Sequence, residues 1–131
     1  MSVFLDTAFL IDIIQNEESA ASVLEKISDS IQFTGSINIH EFLVGAYGSN
    51  NEQKELKTRR RVLRKLLILP FDEKSAEESS IIESNLRKKG NFIGTADILI
   101  AGIMKANGIK TIITNNSKHF EQIDEIEIIT Y

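Results

Sequence analysis

The chain has 131 residues, 42% hydrophobic and 26% charged, with one proline and no cysteine. This is the composition of one ordinary globular domain spanning residues 1–131; it excludes disulfide scaffolds and thiolate metal sites, and no apolar run is long enough to cross a membrane. The net charge of −4 argues against a general polyanion binder, and neither a basic-plus-apolar leader nor an internal repeat is visible, so a cytoplasmic protein is expected.

In chain order, Val3–Leu5 reads as a short buried strand, followed by a helix from Thr7 to Gln15 and a second from Glu18 to Ile27. Ile31–Thr34 is a strand. Gly35-Ser36 turns into a helix over 37–47, and the loop "GSNN" precedes a strong helix over 52–67. Leu67–Leu69 forms a strand ending at Pro70, and Asp72 or Ser75 caps a helix reaching Lys89. The loop between Gly90 and Gly94 leads to a helix over 96–107, capped by Thr95 and stopped by Gly108. Thr111–Thr114 is a strand, residues 118–120 a turn, and Glu127–Thr130 a last strand. Strands alternating with helices imply an α/β fold with a mainly parallel central sheet flanked by helices. Ligands of such sheets sit beyond the carboxyl ends of the strands. Asp6 lies just past the first strand, and Asn115 and Asn116 lie just past the fourth.

Three acids stand out because their surroundings are apolar. Asp6 interrupts "SVFLDTAFLIDII", where a lone carboxylate is costly unless paired or neutralised. Asp97 sits in the first turn of "TADILIAGIMKA", a helix apolar nearly all round, where it also suits a simple capping role. Glu41 sits in "INIHEFLVGAY", where it also suits a helix rim. Converging carboxylates raise one another's pKa, and a divalent cation removes that penalty. Oxygen ligation by Asp and Glu suits Mg²⁺ or Mn²⁺, with Asn115 or Asn116 adding a neutral oxygen. Sites of this kind drive in-line attack of water on phosphodiesters.

The stretches "FLDTAFLID", Glu41 to Gly45, "TADILIAGIMKANGIKTIITNN" and "HFEQI" resemble, in order and spacing, a PIN domain of the VapC toxin type over nearly the whole chain. The resemblance implies a metal-dependent endoribonuclease, commonly dimeric, paired with a VapB-type antitoxin and leaving 5′-phosphate and 3′-hydroxyl ends. It assigns Asp6, Glu41 and Asp97 as metal-holding catalytic acids and places the fourth acidic position on Asn116. A neutral residue there weakens a second metal. Thr7 and Thr114 match hydroxyl positions in the same site, with Asn115 alongside.

Residues 54–65, "KELKTRRRVLRK", hold seven of the 15 basic residues and one acid, a local charge of +6 against −10 for the remainder. Lys54, Lys57, Arg61, Arg64 and Lys65 share one helix face, an expected contact for RNA phosphates. Arg59 falls toward the apolar side and is expected to snorkel. Asp12 is expected at the surface or in a cap, His40 and His119 in structural or exposed roles, with His119 packing the turn under the site. Phe9, Ile13, Val23 and Leu24 are expected to stand exposed as a dimer or antitoxin surface. Two rival readings differ in class. A PIN-like interaction module that has lost catalysis draws support from Asn116. A phospho-acceptor receiver-like domain lacks the paired acids after the first strand and an acceptor aspartate at Thr34-Gly35.

Overall fold

A computed structural model describes residues 1–131. Five strands, β1 (Ser2–Leu5), β2 (Ile31–Gly35), β3 (Leu67–Leu69), β4 (Thr111–Ile113) and β5 (Glu127–Ile129), form one sheet in the order β3-β2-β1-β4-β5. Every pairing is parallel. The helices are α1 (Thr7–Ile14), α2 (Glu18–Lys26), α3 (Ser36–Val44), α4 (Glu52–Leu63), α5 (Glu73–Lys88), α6 (Thr95–Ala106) and α7 (Ser117–Phe120). None is long and apolar enough to cross a membrane.

β1 is the middle strand, and its apolar run is buried on both faces, as a strand between two helical layers requires. Alternation sends Val3 and Leu5 to one side and Phe4 to the other. Val3 and Leu5 join Phe9, Leu10, Val23, Phe42 and Ile113 in one core; Phe4 joins Ile82, Ile100, Ile103, Met104 and Ile112 in the second. Register pairs Phe4 with Phe33 and Ile112, and Leu5 with Ile113. The ladder then ends with the Asp6 amide donating to the Ile113 carbonyl at 3.1 Å. Asp6 is thereby fixed at the carboxyl edge of the sheet.

The expected elements are present, with shifted ends. α3 stops at Val44, three residues early, where Gly45 follows. α4 stops at Leu63, because Leu67–Leu69 leaves the helix to pair with β2 as an edge strand. Asp72 is the cap of α5, accepting from the Ser75 amide and hydroxyl at 2.9 and 2.8 Å. Gly94, not Thr95, is the N-cap of α6. The turn over 118–120 is the one-turn helix α7. The expected exposure of α1 and α2 is corrected: Phe9 and Val23 are buried, and Ile13 and Leu24 pack half-buried against the same core. Tyr131 supplies part of the cover, its ring meeting Phe9 edge-on at 5.2 Å.

α5 lies directly against α6 at Gly102, where a Cβ would meet the Ser75 carbonyl at 2.6 Å and Ser79 Cβ at 2.7 Å. Gly102→Ala gains up to about 1 kcal/mol of helix propensity. It must also push one helix backbone off another, an overpacking cost of about 1–3 kcal/mol. Net destabilisation is expected, seen as a lower urea midpoint; a midpoint at or above wild type would show that the two helices separate freely.

Candidate active site at the carboxyl edge of the sheet

Asp6 follows the last residue of β1 and precedes the first turn of α1, with 5% of its surface exposed. Both carboxylate oxygens have partners. The Thr114 hydroxyl, just beyond β4, donates to Oδ2 at 2.7 Å. The Asn38 amide on α3 donates to Oδ1 at 3.2 Å and to Thr7 Oγ1 at 3.0 Å. Thr7 in turn donates to Glu41 Oε1 at 2.7 Å. One relay therefore connects two of the sequence-predicted acids, Asp6 and Glu41, through Asn38 on α3 and Thr7 at the start of α1. Burial pushes the Asp6 carboxyl up to about 6; the Thr114 hydrogen bond opposes that shift, and the charges of Asp97 and Glu41 add to it. All three acids thus act on one locale.

Asp97 sits in the first turn of α6, where its Oδ2 lies 2.5 Å from His119 Nδ1. His119 is therefore a direct partner of an acid in the site, rather than packing beneath the turn. Thr114 Oγ1 also accepts from the Asn116 amide at 3.0 Å, which closes the β4–α7 connection around the site. The Asn116 side chain is exposed at the N-cap of α7. Asn115 turns away from Asp6 and donates to Asp12 Oδ2 at 2.9 Å. Asp12 is no free surface acid: the Tyr131 hydroxyl donates to the same oxygen at 2.5 Å, and burial together with Asp12 keeps that hydroxyl protonated.

Asn38 was not singled out from sequence, although it is fully buried and bonds both Asp6 and Thr7. A polar side chain between Ile37 and Ile39 is the same signal that marked Asp6. Its Oδ1 has no partner and points toward Gly35, where a Cβ would stand 3.1 Å away. Arg59 does not snorkel. Its Nη1 donates to the Phe42 carbonyl at 2.6 Å, its guanidinium lies over the Phe42 ring at 5.0 Å, and it pairs with Glu55 at 3.4 Å. Carbonyls at a helix end attract a cation, so Arg59 clamps α4 to the end of α3. Lys54, Lys57 and Arg61 are exposed along α4, and Arg64 and Lys65 are exposed in the turn that follows it.

The donor set is all oxygen, which fits a hard divalent cation. No three His, Cys, Asp or Glu side chains lie close enough together to hold one ion as a closed cage. Mg²⁺ needs no such cage: it keeps several waters and is held through one or two carboxylates. Asp6 with either neighbour meets that requirement, and the desolvated charge of Asp6 is what a cation would neutralise.

Because the folded pKa of Asp6 is raised above its unfolded value of 3.8, the native state holds the proton longer than the unfolded chain. Stability therefore falls as pH rises from about 4 to about 6 and stays lower above it, by up to about 3 kcal/mol. In EDTA, Asp6→Asn is expected to lack this fall and to exceed wild type in urea stability above pH 6. Equal pH dependence of the two proteins would remove the desolvation argument.

The PIN domain family model matches residues 3–126. The tRNA(fMet)-specific endonuclease VapC of Salmonella typhimurium is 28% identical over 128 residues, covering 98% of this chain and 96% of the relative. Ribonuclease VapC2 of Haemophilus influenzae is 29% identical over 128 residues, covering 94% and 92%. Among solved structures, VapBC2 from Rickettsia felis, bound to a DNA fragment from its promoter, superposes with a TM-score of 0.90 at 26% identity over 100% of this chain and 99% of that one. DNA-bound VapBC from Salmonella typhimurium gives 0.87 at 26% identity over 99% and 98%. With the family model spanning nearly the full length, this chain belongs to the PIN domain family.

Proposed function

We propose that this protein is an endoribonuclease dependent on Mg²⁺ or Mn²⁺, and the toxin of a VapBC-type pair, acting as a homodimer in the cytoplasm. Asp6 together with Glu41 or Asp97 holds the metal, the remaining acid adds its charge, and Asn116 borders the site. The observation that carries the reading is the buried Asp6 carboxylate, held at the end of the middle strand under the charges of Glu41 and Asp97 in a PIN domain. PIN-domain nucleases generally depend on a divalent metal. The relatives of nearly equal length carry ribonuclease or endonuclease names, and the structural neighbours at 26% identity are VapBC complexes, which supports a VapB-type antitoxin as partner.

When bound, a divalent ion supplies Lewis-acid stabilisation of charge on the phosphodiester and lowers the pKa of the attacking water. The chain's own residues do the positioning. Thr114 and Asn38 fix both oxygens of Asp6, so its charge stays aimed from the strand end. Thr7 holds Glu41 by one oxygen, and His119 holds Asp97 by Oδ2. Asn116 stands exposed at the rim with a neutral side chain, which favours one tightly held ion over two. The basic face of α4 receives RNA phosphates, while the acidic remainder repels them and so limits where the strand can lie. A catalytically weakened interaction module is the second reading, favoured only by the neutral Asn116.

Purified protein is expected to cleave a labelled cellular RNA pool in Mn²⁺ or Mg²⁺ and not in EDTA. Asp97→Asn should retain no more than roughly one per cent of wild-type cleavage, a loss at least as large as the 10–100-fold typical of removing an outer partner of a metal ligand. Cleavage that survives both EDTA and Asp97→Asn would discard the metal-site reading; silence of the wild type in both metals would move the protein to the second reading.

Charge reversal at Arg61 or Arg64 should weaken RNA binding and lower the salt slope by about one per phosphate contact removed. An unchanged slope would return the α4 face to plain solvation.

A further inference from the structure

Of the seven phenylalanines, Phe4, Phe9, Phe42 and Phe120 are fully buried and Phe33 and Phe71 half-buried. Phe92 is 82% exposed, the barest large apolar side chain in the molecule. It stands in the connection from α5 to α6, and that connection is anchored on both sides of it. Gly90 takes φ +73°, and the Asn91 amide returns to the Leu86 carbonyl at 2.9 Å to close α5. Ile93 packs onto the second core, and the Gly94 carbonyl accepts from Ile98 to open α6. With Ile93 drawn inward, the neighbouring ring is turned out to solvent by construction.

Gly94 is unusual for a different reason. Its φ of −60° and ψ of 140° are open to any residue, so its backbone does not require glycine. What glycine does is leave space: a Cβ there would stand 3.8 Å from Asp97 Oδ2 and 4.0 Å from His119 Cε1. A Cβ there would already touch the Asp97–His119 pair. A bare glycine beside a functional carboxylate permits close approach of a ligand. Phe92 lies two residues away, within about 7 Å along the chain, so its exposed ring stands on the same short connection as that opening.

We infer that the segment from Phe92 to Gly94 is the wall that receives the nucleotide beside the cleaved bond, with Phe92 as the platform on which its unpaired base stacks and Gly94 as the gap that leaves the Asp97 side of the site open to it. This rests on the ribonuclease reading above and adds a substrate contact to it. The chemistry required is an anion next to a flat π face, which single-stranded RNA presents at every nucleotide. Phe92 is one ring between polar Gly90-Asn91 and the inward-packed Ile93, not an apolar patch. That suits one base and does not provide the contiguous surface a protein partner buries.

The test uses a short single-stranded RNA of random sequence carrying 2-aminopurine, cleaved in Mn²⁺ by wild type, Phe92→Ala, Phe92→Trp and Asp97→Asn. Phe92→Ala is expected to raise KM roughly ten-fold, the scale of one lost base–aromatic stack, with a smaller change in kcat. It should also lose the quenching of 2-aminopurine fluorescence, with its melting temperature unchanged, because the ring supports no packing. Phe92→Trp should restore both KM and quenching. Wild-type KM and quenching in Phe92→Ala, with Asp97→Asn inactive, would overturn the stacking platform and leave the nuclease standing. Absence of cleavage by wild type would overturn both.

Discussion

The charge of Asp6 has to be kept at a place where water barely reaches. Its strand is the middle one of five, covered on both faces, so its end is an enclosed position on the carboxyl edge. Moving a carboxylate there is costly unless every lone pair finds a donor or a counter-charge. The surrounding residues supply the donors. Thr114 comes from the neighbouring strand end, Asn38 from α3, and Thr7 passes the arrangement on to Glu41. The charges that bear on it, those of Asp97 and Glu41, have the same sign and add to its cost. An arrangement satisfied in hydrogen bonds and unsatisfied in charge is one that a bound cation would complete.

α3 works on both of its sides. Asn38 and Glu41 face the site, while the carbonyl of Phe42, one residue after Glu41, accepts the buried guanidinium of Arg59. The Gly45 that follows the helix leaves the room this guanidinium needs, since a Cβ would stand 3.1 Å from Nη1. The basic helix is therefore joined to the acidic site by one inward-pointing arginine, while its other cations face solvent. Charge segregation along the sequence becomes segregation in space: one cationic helix outside, one anionic edge inside.

The architecture was legible because it rests on local signals. Short apolar runs, caps and glycine stops determine strands and helices within a few residues, and Asp6 declared itself by being charged inside an apolar run. The errors share one cause. Asp12 and His119 look solvent-bound in their own segments, but their partners, Tyr131 and Asp97, lie far along the chain. Asn38 is an ordinary helix residue until Asp6, 32 positions away, is packed against it. Arg59 is one arginine among several until the end of α3 comes within reach. Phe9 and Val23 seemed surplus to one sheet because the cover given by Tyr131 and Phe42 cannot be read from α1 or α2.

The strand order also has a consequence for biosynthesis. β1 is made before one of its two neighbours, β4, which follows more than a hundred residues later, and Thr114, the hydroxyl that fixes Asp6, comes after that. Parallel pairing over such separations forms late, because the loop must close before the contact repays it. Until then β1 has an open edge, and Asp6 is an ordinary hydrated aspartate. A ribosome-bound chain therefore carries its acids without the enclosure that makes them a site. That enclosure forms only once β4 and Thr114 have been made.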